Sequence, residues 1–219
     1  MCGRYTLATP VGRLAEEFGF DTSSKHFRTS YNVAPTQQVP AVLAEGGTRR
    51  LEMLRWGLVP SWADDPGIGA RMINARSETA PEKPSFRRAF RRRRCLIPAD
   101  GFYEWKRLNG SKQPYYFRID GGRPFAFAGL WENWNKDGEI RSCAILTTTA
   151  NELVEEVHER MPVILPRDRY DAWLDPEAEE EQLAALLVPY PDDDLEAYPV
   201  SRFVNSPGND DPRCIEPAA

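Results

Sequence analysis

The feature that most constrains the fold is a series of short apolar stretches separated by glycine-containing turns. Two strand-like segments, Val39 to Leu43 and Leu51 to Trp56, flank a turn at 45–48, and this pattern predicts a β-hairpin. Residues 115–131 predict a second hairpin, because the pair Asp120-Gly121 suits a tight turn between two strands. Hairpins dominate and no regular strand–helix–strand alternation is visible, so the sequence predicts mostly antiparallel sheets.

Further strands and four helices are predicted around these hairpins. Apolar residues recur at helical spacing over 11–18, with Thr9 as the N-cap and Gly19 as the stop signal. The other predicted elements are strands at 95–99 and 142–149, an arginine-rich helix within 84–94, a helix that follows Asn151 and ends near His158, and a helix capped by Asp175-Pro176. The sequence therefore predicts one α+β domain over residues 1–208, with partly barrel-like sheets and flanking helices. Residues 209–219 are expected to form a flexible tail.

Composition limits the class of protein. Hydrophobic residues make up 41% of the 219 residues and six residues are Trp, which is typical of a folded globular protein. No apolar run approaches the roughly 20 residues of a membrane span, and the N-terminus lacks a secretory signal pattern, so we expect a cytoplasmic protein. The cysteines, Cys2, Cys95, Cys143 and Cys214, are scattered without a CxxC motif or a His cluster. We therefore expect reduced thiols and no disulfide, metal site or cofactor.

Basic and acidic residues are unevenly distributed along the chain, whose formal net charge is −5. Arg87, Arg88 and residues 91–94 form a basic block, whereas acidic residues concentrate at 177–181 and 192–194. Without the acidic segments the body is near-neutral or basic, so it could present a local cationic groove to phosphates. The alternative is that these arginines form the solvated face of a helix, and no motif assigns them a role.

The second residue of the chain is a cysteine, directly after the initiator Met1. A small residue at this position normally permits removal of the methionine, which would give Cys2 a free α-amine beside its thiol. The ordinary pKa values of these two groups leave a useful fraction of each nucleophilic near neutral pH. Such a 1,2-aminothiol condenses with an aldehyde to an imine, and the thiol then closes a thiazolidine ring. The alternative is a small apolar residue near a fraying terminus, and a retained Met1 would exclude the thiazolidine chemistry.

Several clusters place polar or charged residues among aromatic residues, Gly and Pro. Besides Cys2 they are Arg55-Trp56-Gly57-Leu58-Val59-Pro60-Ser61-Trp62, Asn74-Ala75-Arg76-Ser77-Glu78, Gly101-Phe102-Tyr103-Glu104-Trp105 and His158-Glu159-Arg160-Met161-Pro162. These motifs occur in the same order as in the SRAP family, the SOS-response-associated proteins that sense abasic sites, and the chain closely resembles that family. The resemblance runs from Cys2 to about Asn205 and rests on several separate motifs.

The resemblance implies a covalent reaction with DNA. Cys2 would attack the ring-opened aldehyde of an abasic site in single-stranded DNA and form a stable thiazolidine crosslink. Asn74 matches the active-site Asn of the family, Glu104 its catalytic Glu and His158 its catalytic His. Imine formation needs proton transfers that a carboxyl group and an imidazole can provide near neutral pH. Two aromatic neighbours should favour the neutral acid form of Glu104.

Taken singly, each of these residues also has a purely structural interpretation. Glu104 could be a strand residue that faces water, His158 a residue held by the end of a helix, and Asn74 a turn former. Core packing is the alternative for both Trp56 and Trp62, and we expect it for Trp56 only.

The resemblance also implies a DNA-binding surface. Arg4, Arg76 and Arg160 match arginines that contact phosphates in the family, and the planar guanidinium suits phosphate oxygens. Trp62, and Pro40 on a separate loop, match positions that stack on or wedge against the bases beside the lesion. Binding should therefore be independent of sequence and weakened by salt. The implied partner is single-stranded DNA with abasic sites, especially near replication forks, bound by a monomer that is nucleoid-associated at damaged DNA and makes no membrane contact.

Two other functions stay open. An N-terminal Cys with Asn, Glu and His also resembles a self-processing cysteine peptidase that removes Met1 or a short leader, and both reactions could occur in succession. A noncatalytic single-strand-binding module, in which Trp62 and the arginines bind DNA and Cys2 is incidental, is the second alternative.

Overall fold

The computed structural model describes residues 2–22, 27–108 and 110–218. Thirteen strands form within these ranges: β1 (Tyr5–Leu7), β2 (Ser30–Val33), β3 (Gln38–Glu45), β4 (Thr48–Trp56), β5 (Asn74–Arg76), β6 (Arg94–Ala99), β7 (Gly101–Leu108), β8 (Ser111–Ile119), β9 (Phe125–Asn135), β10 (Glu139–Thr149), β11 (Arg160–Pro162), β12 (Ile164–Leu165) and β13 (Leu195–Pro199). The α-helices of the same ranges are α1 (Val11–Phe18), α2 (Arg87–Arg92), α3 (Glu152–Glu155), α4 (Tyr170–Leu174) and α5 (Glu180–Ala184). Short 3₁₀ turns lie at Pro66–Arg71, Asp120–Gly122, Arg167–Arg169, Asp192–Asp194, Arg202–Asn205 and Pro212–Ile215.

The strands form two sheets. One sheet has the order β13-β8-β7-β1-β2, and all of its pairings are antiparallel. In the other sheet β10, β4, β3, β6 and β9 pair in a closed ring, because β9 also pairs with β10. Two pairings of this sheet, β10 with β4 and β10 with β5, are parallel. The prediction of a single α+β domain with mostly antiparallel, partly barrel-like sheets is therefore confirmed.

Aromatic side chains pack the two sheets together. The ring of Tyr5 on β1 lies edge-on to Trp56 of β4 and Phe127 of β9, with centroid distances of 5.3 and 5.7 Å. Phe102 of β7 stacks on Phe117 of its own sheet at 4.9 Å and lies edge-on to Phe127 of β9 at 6.3 Å. Trp56 is fully buried, as the sequence predicts. This packing fixes β1 and β7 against the ring of strands, and it determines which residues meet at the junction of the sheets.

The predicted hairpin over residues 115–131 is wrong, although both of its strands exist. β8 pairs with β7 and β13, whereas β9 pairs with β6, β10 and β12 in the other sheet. Gly121 and Gly122 have positive φ values of 63° and 78°, so the chain does turn here, but the turn leads from one sheet to the other. The first six residues of β9 are all buried, which requires cover on both faces rather than the single buried face of an exposed hairpin.

The other predicted hairpin is confirmed, since β3 and β4 pair around the turn at 45–48. β9 and β10 form a further hairpin. The strand predicted at 142–149 belongs to β10, and the strand predicted at 95–99 belongs to β6. The hairpin of β7 and β8 has no counterpart among the predicted elements, because only its second strand was expected.

The helices occur where the sequence predicts them, but most are shorter. α1 ends at Gly19, which has φ 68°, as predicted. Thr9 does not cap it, because the Thr9 hydroxyl donates to Asp100 Oδ1 at 2.6 Å and Pro10 takes the cap position. Asn151 caps α3 through the backbone N–H of Val154, as expected. The last predicted helix begins at Glu180, and Asp175 instead ends α4.

The segment predicted to be a loose tail packs on the body. Asn209 O accepts a hydrogen bond from Asn32 Nδ2 at 2.7 Å, and the Asp210 carboxylate accepts from the Tyr31 backbone at 2.6 Å. Cys214 is buried, and Pro217 bridges to the end of β13. Residues 209–218 therefore cover the open face of the five-stranded sheet. None of the described helices is long and apolar enough to cross a membrane.

Candidate active site

Four chain segments converge where the two sheets meet. Cys2 precedes β1, Glu104 lies on β7, Asn74 begins β5 and His158 follows α3. β1 pairs with β7 in one sheet, while β5 and β11 both pair with β10 in the other. The side chain of Asn74 donates from Nδ2 to the backbone oxygen of Cys2 at 2.8 Å, across 72 positions of sequence. This hydrogen bond joins the N-terminal segment to the second sheet.

The Cys2 side chain is fully buried, and its thiol lies 3.8 Å from the backbone oxygen of Arg4. Burial raises the pKa of the Cys2 thiol, and the negative charge of Glu104 raises it further. The sequence predicts an ordinary pKa for this thiol, and the structure corrects that expectation because the buried thiol has a raised pKa. The thiol is protonated at rest, and it can attack only when a neighbouring group or the reaction intermediate takes its proton.

Glu104 is buried as well, with 2% of the residue exposed. Burial raises its pKa from 4.5 to about 7. Its neighbours are held in place, since Tyr103 donates its hydroxyl to Tyr31 O at 2.7 Å and Trp105 donates from Nε1 to Asn205 Oδ1 at 2.8 Å. The acid and its carboxylate are therefore both populated near neutral pH, which suits a group that must donate and accept a proton in one reaction.

His158 is half-buried, and burial lowers its pKa below the usual range. The hydrogen bond with the Arg160 backbone and the charge of Glu159 act in the opposite direction, and the charge of Arg107 on β7 has a smaller lowering effect on the same pKa. The Nδ1 atom lies 3.0 Å from the backbone nitrogen of Arg160 and 3.2 Å from the backbone oxygen of the same residue. A neutral ring can accept from the nitrogen, and a ring protonated at Nδ1 can donate to the oxygen. The backbone of Arg160 thus accommodates both states of the imidazole.

Asn74 is the third polar side chain of the pocket. Its Nδ2 is used by Cys2 O, whereas its Oδ1 is buried and accepts no hydrogen bond within the described part of the chain. Buried side-chain oxygens normally have a donor, so this acceptor is suited to a donor from outside the protein.

The three predicted phosphate contacts differ in how far their guanidinium groups are engaged. Arg4 donates to Asn32 Oδ1 and to Val204 O, both at 2.9 Å. Arg160 forms a bidentate pair with Glu78, at 2.5 and 2.9 Å, and is buried. Arg76, at the end of β5, is exposed and makes no ion pair in residues 2–22, 27–108 and 110–218. The geometry therefore favours Arg76 as a phosphate contact and gives Arg4 and Arg160 structural partners.

Glu78 carries no role in the sequence prediction, although it belongs to the cluster that begins at Asn74. Its carboxylate holds the side chain of Arg160, whose backbone contacts His158. The hydrogen bond from Arg160 keeps the pKa of Glu78 below its usual range. The position of Glu78, four residues after Asn74, was the only sequence signal for this role.

The two predicted base-contact residues lie in different surroundings. The Trp62 side chain is 53% exposed, and its Nε1 lies 3.4 Å from Pro84 O. The prediction that Pro40 lies on a loop is wrong, because it lies within β3, opposite Met53, and is buried. A strand can hold a proline where its missing N–H is not needed by a neighbour. A groove lined by Phe27, Met53 and other residues runs past Pro40.

The basic block is largely neutralised within the protein. Arg91 pairs with Glu180 at 3.7 Å and Arg92 with Glu177 at 3.8 Å, so the acidic segment lies against it. Arg93 pairs with Glu132, and the buried Arg94 donates to Trp173 O at 2.7 Å. Acidic side chains therefore face Arg91, Arg92 and Arg93, whereas Arg87 and Arg88 of the block stay exposed and outside these pairs.

All four cysteines are free thiols and are buried. Within the residues that the structure describes, no group of three or more His, Cys, Asp or Glu side chains is placed to hold a metal ion.

Comparison with known proteins places this site in context. The family model described as SOS response associated peptidase (SRAP) matches residues 1–207. The chain is 47% identical to the abasic site processing protein YoqW of Bacillus subtilis, over 99% of both chains. It is 33% identical to the abasic site processing protein HMCES of Gallus gallus, over 99% of this chain and 78% of that protein. A crystal structure of a Bacteroides thetaiotaomicron protein aligns over the whole of both chains with a TM-score of 0.91 and 27% identity.

Proposed function

This chain belongs to the SRAP family, and we propose that it processes abasic sites by capturing the sugar aldehyde covalently through Cys2 in single-stranded DNA. The observation that carries the proposal is the pocket itself. The Asn74–Cys2 hydrogen bond and the effect of the Glu104 charge on the Cys2 thiol indicate that an N-terminal cysteine, an amide and a titrating acid meet from distant parts of the sequence. The names of the relatives, which are abasic site processing proteins, support the substrate class.

The reaction begins at the α-amine that loss of Met1 would free. The amine nitrogen adds to the aldehyde carbon and forms a carbinolamine. Glu104 in its acid form donates a proton to the hydroxyl group, which leaves as water, and the resulting iminium returns its nitrogen-bound proton to the Glu104 carboxylate to give the imine. The Cys2 thiol then adds to the imine carbon, and its proton passes to the imine nitrogen. One water is released for each thiazolidine formed, and nothing is oxidised or reduced.

The environment of the thiol supports this order of steps. Because burial and the charge of Glu104 keep the Cys2 thiol protonated, the thiolate is disfavoured while Glu104 is ionised. The amine is the nucleophile for the first step, and the basic imine nitrogen takes the thiol proton in the last.

Asn74 and His158 orient the sugar and move protons. The buried Oδ1 of Asn74 can accept a hydrogen bond from a sugar hydroxyl or from the freed amine. His158 has its pKa lowered by burial, so its neutral ring is available near pH 7 as a proton acceptor. This ring could serve a later strand-cleavage or release step of a lyase type.

Binding of the DNA strand is proposed to depend on stacking and on phosphate contacts. The exposed Trp62 can stack on any base beside the lesion, and the exposed Arg76 can pair with a phosphate. Self-removal of Met1 by the same pocket is compatible with this function and would precede it.

Substitution of Cys2 tests the proposal. We expect Cys2→Ser to abolish the denaturant-resistant adduct with abasic single-stranded DNA, because a hydroxyl does not replace the thiol in the ring. The α-amine remains, so borohydride should still trap an imine. Intact mass spectrometry before and after exposure to the DNA reports both the loss of Met1 and the mass of the adduct.

Cys214→Ser is the matched control, since Cys214 is also a buried free thiol but lies in the C-terminal segment. This variant should crosslink as the wild type does. Salt-reversible binding without an adduct in the wild type would favour the noncatalytic module, and cleavage of Met1 without an adduct would favour the peptidase. An undiminished adduct in Cys2→Ser would refute the role of the thiol.

A further inference from the structure

The hairpin of β7 and β8 is an unassigned cationic surface. From Trp105 to Ile119 the sequence contains no acidic residue, and it includes Lys106, Arg107 and Lys112 near the tip of the hairpin. Arg107 and Lys112 are exposed, and Lys106 lies over the ring of Tyr115 at 6.0 Å. The exposed Leu108 precedes the turn.

The strand register places two positive charges against each other. Arg107 lies directly opposite Lys112 in the antiparallel pair, so both side chains project from the same face of the hairpin. Like charges in this arrangement destabilise a sheet, and here neither side chain forms an ion pair within the described residues. Arg91 and Arg92 differ, because acidic residues of the same chain neutralise them. The hairpin tip is thus a cation pair without an internal counterion.

The hairpin tip is also close to the candidate active site. Glu104 is three positions before Arg107 on the same strand, which corresponds to about 10 Å of extended chain, and the strand alternation places Arg107 and Lys112 on the face of the hairpin opposite to Glu104. The charge of Arg107 has a small lowering effect on the pKa of His158, so its electric field reaches the pocket. A polyanion that extends from the pocket over the tip of the hairpin would meet both cations.

We propose that the tip of the β7–β8 hairpin, through Arg107 and Lys112, binds the phosphate backbone of the DNA strand beside the lesion. This inference rests on the proposed function, because single-stranded DNA is the polyanion that the pocket would take. Its phosphates neutralise the facing charges, while Trp62 and Arg76 contact the strand from other elements. The contact is to the backbone, so it is independent of base sequence.

Salt-dependent binding tests this contact without any crosslinking. The probe is single-stranded DNA with a tetrahydrofuran site, which has no aldehyde, and the variant is Arg107→Gln with Lys112→Gln. Each phosphate contact on a single strand contributes about 0.7 to the slope of log affinity against log salt. We expect the double variant to bind more weakly at low salt and to have a slope smaller by about 1.4. Lys112→Gln alone should reduce the slope by about 0.7.

Arg13→Gln with Arg87→Gln is the matched control, because it removes two exposed cations on α1 and α2 that lie in no described ion pair. Its slope should equal that of the wild type. A hairpin variant with the slope of the wild type, or with the same change as the control, overturns the proposal. Failure of the wild type to crosslink aldehyde-bearing DNA would instead refute the proposed function, and the slopes would still decide the hairpin contact.

Discussion

Glu104 lies on β7 with its carboxyl group removed from solvent, and burial is the main reason that its pKa is about 7. The folded protein therefore holds this proton more tightly than the unfolded chain, in which the value is 4.5. The contribution of Glu104 to stability is complete below about pH 4.5 and is lost as the pH rises through about 7. A group that is useful for proton transfer is thus a source of instability under basic conditions.

The variant Glu104→Gln should remove this pH dependence. We expect its free energy of unfolding at pH 8 to exceed that of the wild type by about 1–3 kcal/mol, because a neutral amide has no charge to bury. Below about pH 4.5 the two proteins should converge. Urea unfolding at both pH values measures the difference. The same variant should crosslink about 10²–10⁴-fold more slowly, since it lacks the proton donor. Equal stability of the two proteins at pH 8 would contradict the conclusion that burial raises the pKa of Glu104.

Among the elements, the segment from Gly57 to Met72 holds Trp62 in place by a close backbone contact. A Cβ atom at Gly69 would lie 2.5 Å from Gly57 O and 2.9 Å from a methyl carbon of Val59. Gly57 has φ 131°, a conformation that other residues rarely adopt. The two glycines therefore allow the ends of the segment to touch, and Trp62 lies between them.

Gly69→Ala should spread this contact apart. We expect a loss of about 1–3 kcal/mol in the free energy of unfolding, because a methyl group has no space there. Affinity for single-stranded DNA should fall as well, since Trp62 would shift. Gly12→Ala is the control, because nothing lies within 4 Å of its added methyl and it is in α1. That variant should be slightly more stable than the wild type. Denaturant midpoints and DNA titrations compare the two, and similar effects of both substitutions would argue against the contact.

On the scale of the whole molecule, the C-terminal segment closes the sheet that carries Glu104. This segment comprises residues 204–218. Asn32 is buried and donates to three of its backbone oxygens, those of Val204, Ser206 and Asn209. Arg4, two residues from the proposed nucleophile, donates to Val204 O. Residues near the C-terminus thus hold Arg4 and Asn32 in place through hydrogen bonds.

Deletion of residues 209–219 should lower the free energy of unfolding by at least about 3 kcal/mol, since it removes a buried hydrogen-bond acceptor of Asn32 and the buried Cys214. A flexible tail would make no such contribution. Glu216→Ala is the control, because this residue is exposed, and it should change stability by less than about 0.5 kcal/mol. Thermal or urea unfolding of the three proteins gives the comparison. A truncated protein as stable as the wild type would show that the segment does not hold the sheet.

Local pattern alone determined much of this protein. The two strand-like segments around the turn at 45–48 predicted the β3–β4 hairpin, the stop at Gly19 ended α1, and the motifs around Cys2 and Glu104 indicated the family. These features follow from backbone periodicity, turn geometry and residue type. All three are determined by residues that are close together in the sequence.

Only the tertiary structure decided how these parts meet. The turn at Asp120–Gly122 was visible, but the partner strands of β8 and β9 depend on which faces each strand must bury. The burial of the Cys2 thiol, the pairing of Arg160 with Glu78 and the cover by residues 209–218 depend on contacts between distant segments. A local sequence pattern carries no information about such partners, because desolvation and ion pairing are set by everything that packs around a group.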